Sequence, residues 1–460
     1  LMGSGCSACS FIESGRVNGH SRTDFITNSK GRECTLYIVR MSDQKENFYK
    51  IGVSSHSTEK RFEIMSEYNA NRQIFRSRNY SFETRLIHGE ISGDELTGAV
   101  NVPIYQTSTY AQTVPGENKG YEYSRSSNPT RKALEELIAE LENGDYGFAF
   151  ASGLAAISTV FSLFETGDEI IISNDVYGGT FRILDKVFKH FGISYVQVNT
   201  SNLDEVEAAI NGATKAIYIE TPTNPLLGIT DLKAIADIAK KHQLVSIADN
   251  TFYTPYLQRP LDFGIDIVLH SATKYLGGHS DLIAGLAAVK DDELAKRIGF
   301  LQNAIGGILQ PFDSFLLIRG IKTLGVRLDR HVSNAKKLVD VLDTSSDVKK
   351  IYYPGLKTHP GYDINAKQAK NGGAMISFEL TRGHDINKLF RHLEIITLAE
   401  SLGGVESLIE HPASMTHASI PKEIREKAGL TDDLLRISVG IEDGDELADD
   451  LIKAIDFSRI

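Results

Sequence analysis

A lysine at the end of an apolar run is the side chain of this sequence best suited to covalent chemistry. Lys274 follows the run Ile-Asp-Ile-Val-Leu (265–269) and precedes a Gly-Gly turn, a pattern typical of a lysine just past a buried strand. Burial lowers the pKa of a lysine and makes its amine nucleophilic. Ser271 and Thr273 add hydroxyls that suit a phosphate oxygen. These residues indicate a lysine forming an imine beside a phosphate, as pyridoxal phosphate (PLP) requires, although an ordinary strand-end turn explains them equally well.

Two further segments offer partners for such a ligand. An apolar run leads into Gly153, Leu154 and a helix start of small residues, where backbone N–H groups and the helix dipole favour an anion such as phosphate. Asp249 follows the run Leu-Val-Ser-Ile-Ala (244–248), and a carboxylate in apolar surroundings needs a cation such as a protonated pyridine nitrogen. A plain glycine turn and a capping aspartate remain alternatives.

An aromatic residue and an amide follow two other strand-like runs. Tyr177 precedes two glycines and a helical pattern, so its ring could stack on a planar cofactor or cap the core. Asn224 lies in the double-proline turn Glu-Thr-Pro-Thr-Asn-Pro (220–225), which could aim it inward or be ordinary turn chemistry.

The elements that must position these residues alternate along the chain. Strand-like runs at 169–172, 194–198, 216–220 and 244–248 are separated by helical patterns at 180–191, 203–210 and 231–241, and Thr130 is a candidate N-cap of an earlier helix. This alternation predicts an α/β fold with a mostly parallel sheet covered by helices on both faces. Ligands of such sheets bind at the carboxyl ends of strands, which is where the candidate residues lie.

The domain organisation is predicted from shifts in pattern and charge. Residues 1–81 form an N-terminal extension, 82–123 an extended arm, 124–318 the ligand-binding domain, and 319–460 a smaller α+β domain. Residues 1–80 carry 12 Lys and Arg against 8 Asp and Glu, whereas the whole chain has a net charge of −11. Residues 1–33 are predicted to be disordered, and strand-like runs at 35–40 and 47–53 precede a helical pattern at 60–68. The order of strand, turn, strand and helix at 35–75 resembles a GIY-YIG-type nuclease or DNA-binding module, to which we assign no activity.

Composition excludes several classes of protein. The hydrophobic content of 41% and charged content of 24% are those of an ordinary globular protein, and no apolar run suits a membrane span. The three cysteines all precede residue 35, which excludes a disulfide-stapled fold and favours a cytoplasmic location. No metal site is predicted, and the acidic balance beyond residue 81 argues against nucleic-acid binding there.

Taken in order, the motifs resemble the fold-type I PLP enzymes of cysteine and methionine metabolism. The matching segments are ETPTNP (220–225), ADNTF (248–252), HSATKYLGGHSD (270–281), ESLGGVESL (400–408) and RISVGIED (436–443). This family includes cystathionine γ-lyase, β-lyase and γ-synthase, enzymes of transsulfuration and of cysteine and methionine biosynthesis. The resemblance runs from about residue 84 to 460 and implies a PLP-binding domain followed by a smaller C-terminal domain.

The resemblance implies a role for each candidate residue. Lys274 would hold PLP covalently and move protons, Asp249 would pair with the pyridine nitrogen, and Tyr177 would stack on the ring and assist catalysis. The other implied PLP contacts are Asn224 at the phenolic oxygen and Gly153, Leu154, Ser271 and Thr273 at the phosphate. Tyr123 and Arg125 would complete the phosphate site of a neighbouring subunit, so that active sites are shared across a dimer, with a homotetramer favoured. The implied substrate contacts are Arg436 at the α-carboxylate, Ser401 through its backbone, Glu400, Asn224 and Arg182.

The choice of reaction depends on the region of Glu400. This residue matches an acidic position of γ-lyases and γ-synthases that faces the distal part of the substrate. Gly179 stands where methionine γ-lyases usually carry cysteine, which disfavours that branch. The sequence therefore predicts a PLP-dependent lyase that cleaves cystathionine by α,γ-elimination, with γ-synthase and β-lyase as alternatives. A nucleic-acid-binding fusion with a vestigial PLP body is the alternative from another class.

Overall fold

The structure, a computed structural model, describes residues 35–42, 47–54, 80–89, 93–94, 96–416, 422–427 and 429–460. The chain divides into two units, Leu1–Ser81 and Phe82–Ile460. In the first unit, strands β1 (Thr35–Ser42) and β2 (Asn47–Ser54) form an antiparallel pair, where two strands were predicted. The predicted disorder at 1–33 and helix at 60–68, and most of the segment resembling a GIY-YIG module, lie outside the described residues.

A seven-stranded sheet forms the centre of the second unit. Its strands are β3 (Tyr146–Phe150), β4 (Glu169–Ser173), β5 (Ser194–Val198), β6 (Thr214–Glu220), β7 (Val245–Asp249), β8 (Ile267–Ser271) and β9 (Gly285–Val289). The order is β3-β9-β8-β7-β6-β4-β5, and every pair is parallel except the two that involve β9. Because β6, β7 and β8 are parallel, Glu220, Asp249 and Ser271 end these strands at one edge of the sheet.

Helices follow the strands as the alternating pattern predicts. They are α1 (Phe82–His88), α2 (Pro129–Leu141), α3 (Gly153–Phe161), α4 (Gly178–Lys186), α5 (Leu203–Ala209), α6 (Leu232–His242), α7 (Thr254–Leu257), α8 (Asp292–Ile305), α9 (Pro311–Ile321) and α10 (Leu324–Thr344). Separate apolar clusters pack the two faces of the sheet, since Ile170 and Ile172 join one and Ile171 the other. The sheet is thus covered on both faces, which is why its central strands are mostly apolar.

Three details of the helices differ from the sequence predictions. Asn128, and not Thr130, caps α2, because its side chain accepts from the N–H groups of both Thr130 and Arg131, whereas the Thr130 hydroxyl donates to the Pro103 carbonyl at 2.8 Å. The helix predicted at 180–191 breaks at Val187 into α4 and a 3₁₀ turn at Phe188–Phe191. The predicted extended arm begins with helix α1, whose Phe82 and Leu86 are buried one turn apart.

A second sheet of five strands lies in the C-terminal part. Strands β10 (Val348–Tyr352), β11 (Met375–Leu380), β12 (Thr397–Leu398), β13 (Leu408–Glu410) and β14 (Leu434–Ser438) pair in the order β10-β11-β14-β13-β12. The helices of this part are α11 (Tyr362–Gln368), α12 (Ile386–His392), α13 (Lys422–Lys427) and α14 (Gly444–Phe457). One apolar cluster includes residues on both sides of position 318, among them Leu134 and Phe378, and the domain boundary at 318/319 stays a prediction.

No helix among the described residues is both long and apolar enough to cross a bilayer.

Candidate active site

A cavity of about 360 Å³ opens at the carboxyl ends of β6, β7 and β8. Its volume falls in the range of small-molecule sites. The predicted residues that line it are Gly153, Leu154, Tyr177, Asn224, Asp249, Ser271, Thr273, Lys274, Glu400, Ser401 and Arg436. Residues from distant parts of the sequence therefore meet at the edge where a parallel sheet binds its ligands.

Lys274 lies in this cavity just beyond β8. Its Nζ donates to the hydroxyl of Ser401 at 2.8 Å. Burial, assisted by the charge of Arg436, lowers the pKa of Lys274 from its ordinary 10.5 to about 8, while Glu410 and Glu400 oppose the shift. The amine is thus deprotonated in an appreciable fraction of molecules near neutral pH, as a nucleophile or general base requires.

The lowered pKa predicts how the apoprotein captures PLP. Only the neutral amine attacks an aldehyde, so the rate of covalent capture should fall by about tenfold for each pH unit below about 8 and level off above it. The measurement is the rate of appearance of the bound cofactor's visible absorbance at a series of pH values. A rate that keeps rising through pH 10, as for an ordinary lysine, would contradict the assignment, and Lys274→Arg, which lacks a primary amine, is the control.

Asp249 is a buried carboxylate at the floor of the cavity. Burial raises its pKa, and hydrogen bonds from Thr251 and Tyr218 act against that rise. Its register partner on β6 is Glu220, which accepts the backbone N–H of Tyr177 at 2.8 Å. Burial and the neighbouring Asp249 raise the pKa of Glu220 well above its ordinary range. Asp249 is therefore the carboxylate that a buried cationic ring nitrogen would stabilise.

The start of α3 and the end of β8 form a close-packed anion cradle. A Cβ on Gly153 would lie 2.9 Å from the Cβ of Ser271, so only glycine allows this approach. Ser152 caps the helix by accepting from Ala155 N–H at 3.0 Å, which leaves the N–H groups of Gly153 and Leu154 for a ligand. The Thr273 hydroxyl is bonded to the backbone of Ala284, accepting at 3.0 Å and donating at 3.3 Å.

Tyr177 stands at the side of the cavity, directly before α4, and is 44% exposed. A Cβ on Gly179 would lie 2.4 Å from Cε1 of the Tyr177 ring, so any side chain at position 179 would displace that ring. Burial raises the pKa of Tyr177, and the charge of Arg182 opposes this. Arg182 itself is exposed on α4 and does not line the cavity.

Arg436 supplies a fixed guanidinium to the lining of the cavity. Nη1 donates to Oδ1 of Asn224 at 2.6 Å and Nη2 to the carbonyl of Ser401 at 3.1 Å. Ser401 has a φ of 99°, an unusual value for a residue other than glycine, and this conformation turns its carbonyl to Arg436 and its hydroxyl to Lys274. A buried, oriented guanidinium suits bidentate recognition of a carboxylate.

Sequence reasoning missed Glu410 as a member of this site. Its Oε2 lies 2.9 Å from Nη2 of Arg436, and both side chains are almost completely buried. The two residues are register partners on the antiparallel strands β13 and β14. Burial raises the pKa of Glu410, and Arg436 opposes the rise. Only the register of β13 against β14 brings Glu410 to Arg436. The sequence of a strand as short as Leu-Ile-Glu does not indicate which strand it pairs with.

Tyr123 and Arg125 lie in a different concavity of about 280 Å³. The guanidinium of Arg125 is 5.6 Å from the centre of the Tyr123 ring, and its Nε donates to Oδ1 of Asn303 at 3.2 Å. Neither residue lines the cavity that contains Lys274. Their role in a neighbouring subunit's phosphate site stays a prediction.

These features define a class of protein. A mostly parallel α/β fold presents a lysine with a lowered pKa, a buried carboxylate, an aromatic face and an anion cradle in one cavity. This donor set fits PLP, whose aldehyde, pyridine nitrogen, ring and phosphate need one partner each. The architecture and the cavity are those of a fold-type I PLP-dependent enzyme.

Comparison with known proteins gives the family. Residues 83–456 match the Cys/Met metabolism PLP-dependent enzyme family, and the chain belongs to it. The chain is similar to a cystathionine β-lyase of Lactococcus lactis subsp. cremoris (strain MG1363), with 59% identity over 82% of this chain and 99% of the relative. It is also similar to a cystathionine γ-lyase of Bacillus subtilis (strain 168), with 54% identity over 81% of this chain and 99% of the relative.

A solved structure extends the comparison to three dimensions. The crystal structure of cystathionine γ-lyase from Lactobacillus plantarum, complexed with L-serine, matches with a TM-score of 0.81 and 57% identity. The match covers 82% of this chain and 99% of that chain. PLP is therefore the cofactor, and the chain is a PLP-dependent enzyme with amino-acid substrates.

Proposed function

We propose that this enzyme cleaves a carbon–sulfur bond of cystathionine by α,γ-elimination, giving cysteine, 2-oxobutanoate and ammonia with uptake of water. The observation that carries cystathionine cleavage is the convergence of Lys274, Asp249 and Arg436 on one cavity with Glu400 among its lining residues. The 57% identity to a solved structure named cystathionine γ-lyase favours the γ-reaction. Bound PLP supplies an electron sink for the negative charge that develops at the substrate's Cα. The side chains then have separate tasks, which are to hold the cofactor, orient the substrate and move protons.

The cofactor contacts follow from the cavity. We infer that Lys274 holds PLP covalently, that Asp249 pairs with the pyridine nitrogen, and that Tyr177 stacks on the ring. Asn224 contacts the phenolic oxygen. The phosphate contacts are the N–H groups of Gly153 and Leu154 and the hydroxyls of Ser271 and Thr273, the latter once its hydrogen turns from the Ala284 carbonyl. Tyr123 and Arg125 of a neighbouring subunit complete the set.

Lys274 is the base of the reaction. The Nζ of Lys274 would remove the Cα proton of a substrate held in the cavity, and a pKa of about 8 matches that task. The Ser401 hydroxyl, 2.8 Å from Nζ, holds the amine at that wall of the cavity. For γ-elimination the amine must give up the Cα proton before it can remove a Cβ proton, after which the sulfur leaves Cγ.

Arg436 and Glu400 orient the two ends of the substrate. Arg436 binds the α-carboxylate, with Asn224 and the Ser401 carbonyl fixing its guanidinium plane. Glu400 is exposed and attracts the distal ammonium of cystathionine. Cystathionine places this ammonium the same number of bonds from the reacting Cα whichever half is bound, so Glu400 favours cystathionine without choosing between γ- and β-elimination.

A second candidate reaction is α,β-elimination, which gives homocysteine, pyruvate and ammonia. The name of the Lactococcus lactis relative, at 59% identity, favours it. It uses the same contacts but only one deprotonation, because the sulfur leaves from Cβ directly after Cα loses its proton.

Product analysis tests the proposal. The PLP-loaded protein is incubated with cystathionine, and we expect cysteine and 2-oxobutanoate in equal amounts, with Lys274→Ala as the inactive control. If homocysteine and pyruvate form instead, the reaction is β-elimination and the proposed γ-elimination is wrong. If no keto acid forms and O-acyl-homoserine with cysteine yields cystathionine, the protein is a γ-synthase and the lyase proposal is wrong.

A further inference from the structure

Tyr218 lies directly beneath the cavity, although the proposed reaction gives it no task. It is on β6, two residues before Glu220, so the two side chains share a face of the sheet. Glu220 and Asp249 are register partners, which places Tyr218 diagonally below Asp249. The Tyr218 side chain is completely buried, and its ring meets Phe161 edge to face at 5.5 Å between centroids. The phenol oxygen is thereby held in place.

The phenol donates its hydrogen to the carboxylate that faces the cofactor. Tyr218 Oη lies 3.2 Å from Oδ2 of Asp249. The other oxygen, Oδ1, accepts both the N–H of Thr251 at 3.0 Å and the Thr251 hydroxyl. A carboxylate oxygen has about two acceptor sites, so Oδ1 is saturated and Oδ2 has one site left. A pyridine N–H entering the cavity must therefore share Oδ2 with Tyr218.

Sharing an oxygen has a chemical consequence. A hydrogen bond to a carboxylate stabilises its ionised form and makes it a weaker base. The proton between Oδ2 and the pyridine nitrogen is then held more strongly by the nitrogen. A protonated ring withdraws more charge from Cα, and this speeds the removal of the Cα proton by Lys274.

We propose that Tyr218 is a positioning residue that keeps the pyridine nitrogen of PLP protonated by donating a hydrogen bond to Oδ2 of Asp249. This inference rests on the proposed pairing of Asp249 with the ring. Tyr218 acts through Asp249 and contacts neither the substrate nor the cofactor. Its effect is therefore on ring charge and not on substrate affinity.

The test uses the PLP-loaded Tyr218→Phe variant and two readouts. One is the ¹⁵N chemical shift of ring-labelled PLP, which should move toward that of an unprotonated pyridine. The other is the exchange of the Cα proton of L-alanine, which has no leaving group, with deuterated solvent. We expect this rate to fall by about tenfold, the order expected for one hydrogen bond to a charged group, with the KM for cystathionine unchanged.

Tyr253→Phe is the matched control. Tyr253 is equally buried, but its hydroxyl donates to Asn365 Oδ1 at 2.6 Å, so both readouts should stay at the parent values. Tyr218→Met, also without a hydroxyl, repeats the test if the phenylalanine variant does not fold. An unshifted ¹⁵N signal in a folded Tyr218 variant overturns the inference.

Asp249→Ala separates this inference from the proposed function. If Asp249→Ala loses ring protonation and Tyr218→Phe does not, only the role of Tyr218 is wrong. If neither variant changes the ¹⁵N signal, the pairing of Asp249 with the pyridine nitrogen is wrong as well.

Discussion

Replacing Lys274 by alanine should lower the kcat for cystathionine by about 10⁴-fold or more. Lys274 is the only lysine lining the described cavity, and it has two proposed tasks, as the covalent anchor of PLP and as the base at Cα. Loss of a positioned base alone costs about 10²–10⁴-fold, and loss of the anchor adds to this. The measurement is the initial rate of keto acid formation with saturating PLP.

The matched control for this variant is Lys370→Ala. Lys370 is also partly desolvated, so that its pKa is lowered, but it lies over the ring of Tyr256 at 3.9 Å and does not line the cavity. Its loss should leave kcat within about twofold of the parent, since surface changes rarely disturb a distant site. Activity of Lys274→Ala within tenfold of Lys370→Ala would refute both roles of Lys274.

Arg436→Met should have two separable effects. The kcat/KM for cystathionine should fall by about a hundredfold or more, because a buried charged contact to the α-carboxylate is lost. The free energy of unfolding should also fall by about 3–5 kcal/mol, because Glu410 is left as a buried charge without its partner at 2.9 Å. Enzyme kinetics and chemical denaturation measure the two effects independently.

The double variant Arg436→Met/Glu410→Gln separates them. Removing the unpaired charge should restore most of the lost stability and none of the lost kcat/KM. Lys349→Met is the matched control, since Lys349 is an exposed partner of Glu379 at 2.7 Å and should cost no more than about 1 kcal/mol. If Arg436→Met is as stable as Lys349→Met, the buried ion pair has no structural role.

The fold was predictable from the sequence because its signals are local. Strands β4, β6 and β8 have five to seven residues and an apolar core, and the intervening helices carry a helical period. The alternation then requires a parallel sheet with covered faces. Boundaries were less predictable, as the predicted runs end at residues 248 and 269, whereas the strands extend to Asp249 and Ser271.

The sequence also predicted the part of the site that lies at the ends of the strands. Lys274, Asp249 and Asn224 could be placed at one site because parallel strands bring their carboxyl ends together. Glu410 and Tyr218 could not be, because each depends on strand register. Glu410 meets Arg436 through an antiparallel pairing across 26 positions, and Tyr218 reaches Asp249 from a buried position two residues below the strand end.

Helix capping and side-chain direction are two further features in which the structure differs from the sequence predictions. Thr130 and Asn128 are both acceptable caps by residue type, and only the hydrogen bonds to Thr130 and Arg131 distinguish them. Ser401 was expected to act through its backbone, which does bond to Arg436, but its hydroxyl also accepts from Lys274. That second contact depends on a left-handed φ of 99°, which nothing in the local sequence requires.

The most direct test of the account is to identify the residue that carries the cofactor. Borohydride reduces the carbon–nitrogen bond between PLP and its lysine to a stable amine, and peptide mass spectrometry then locates the pyridoxyl group. We expect one label per chain, on Lys274, and none on Lys274→Ala treated in the same way. A label on any other lysine, or no label in protein that turns over cystathionine, would contradict the central claim that Lys274 holds PLP.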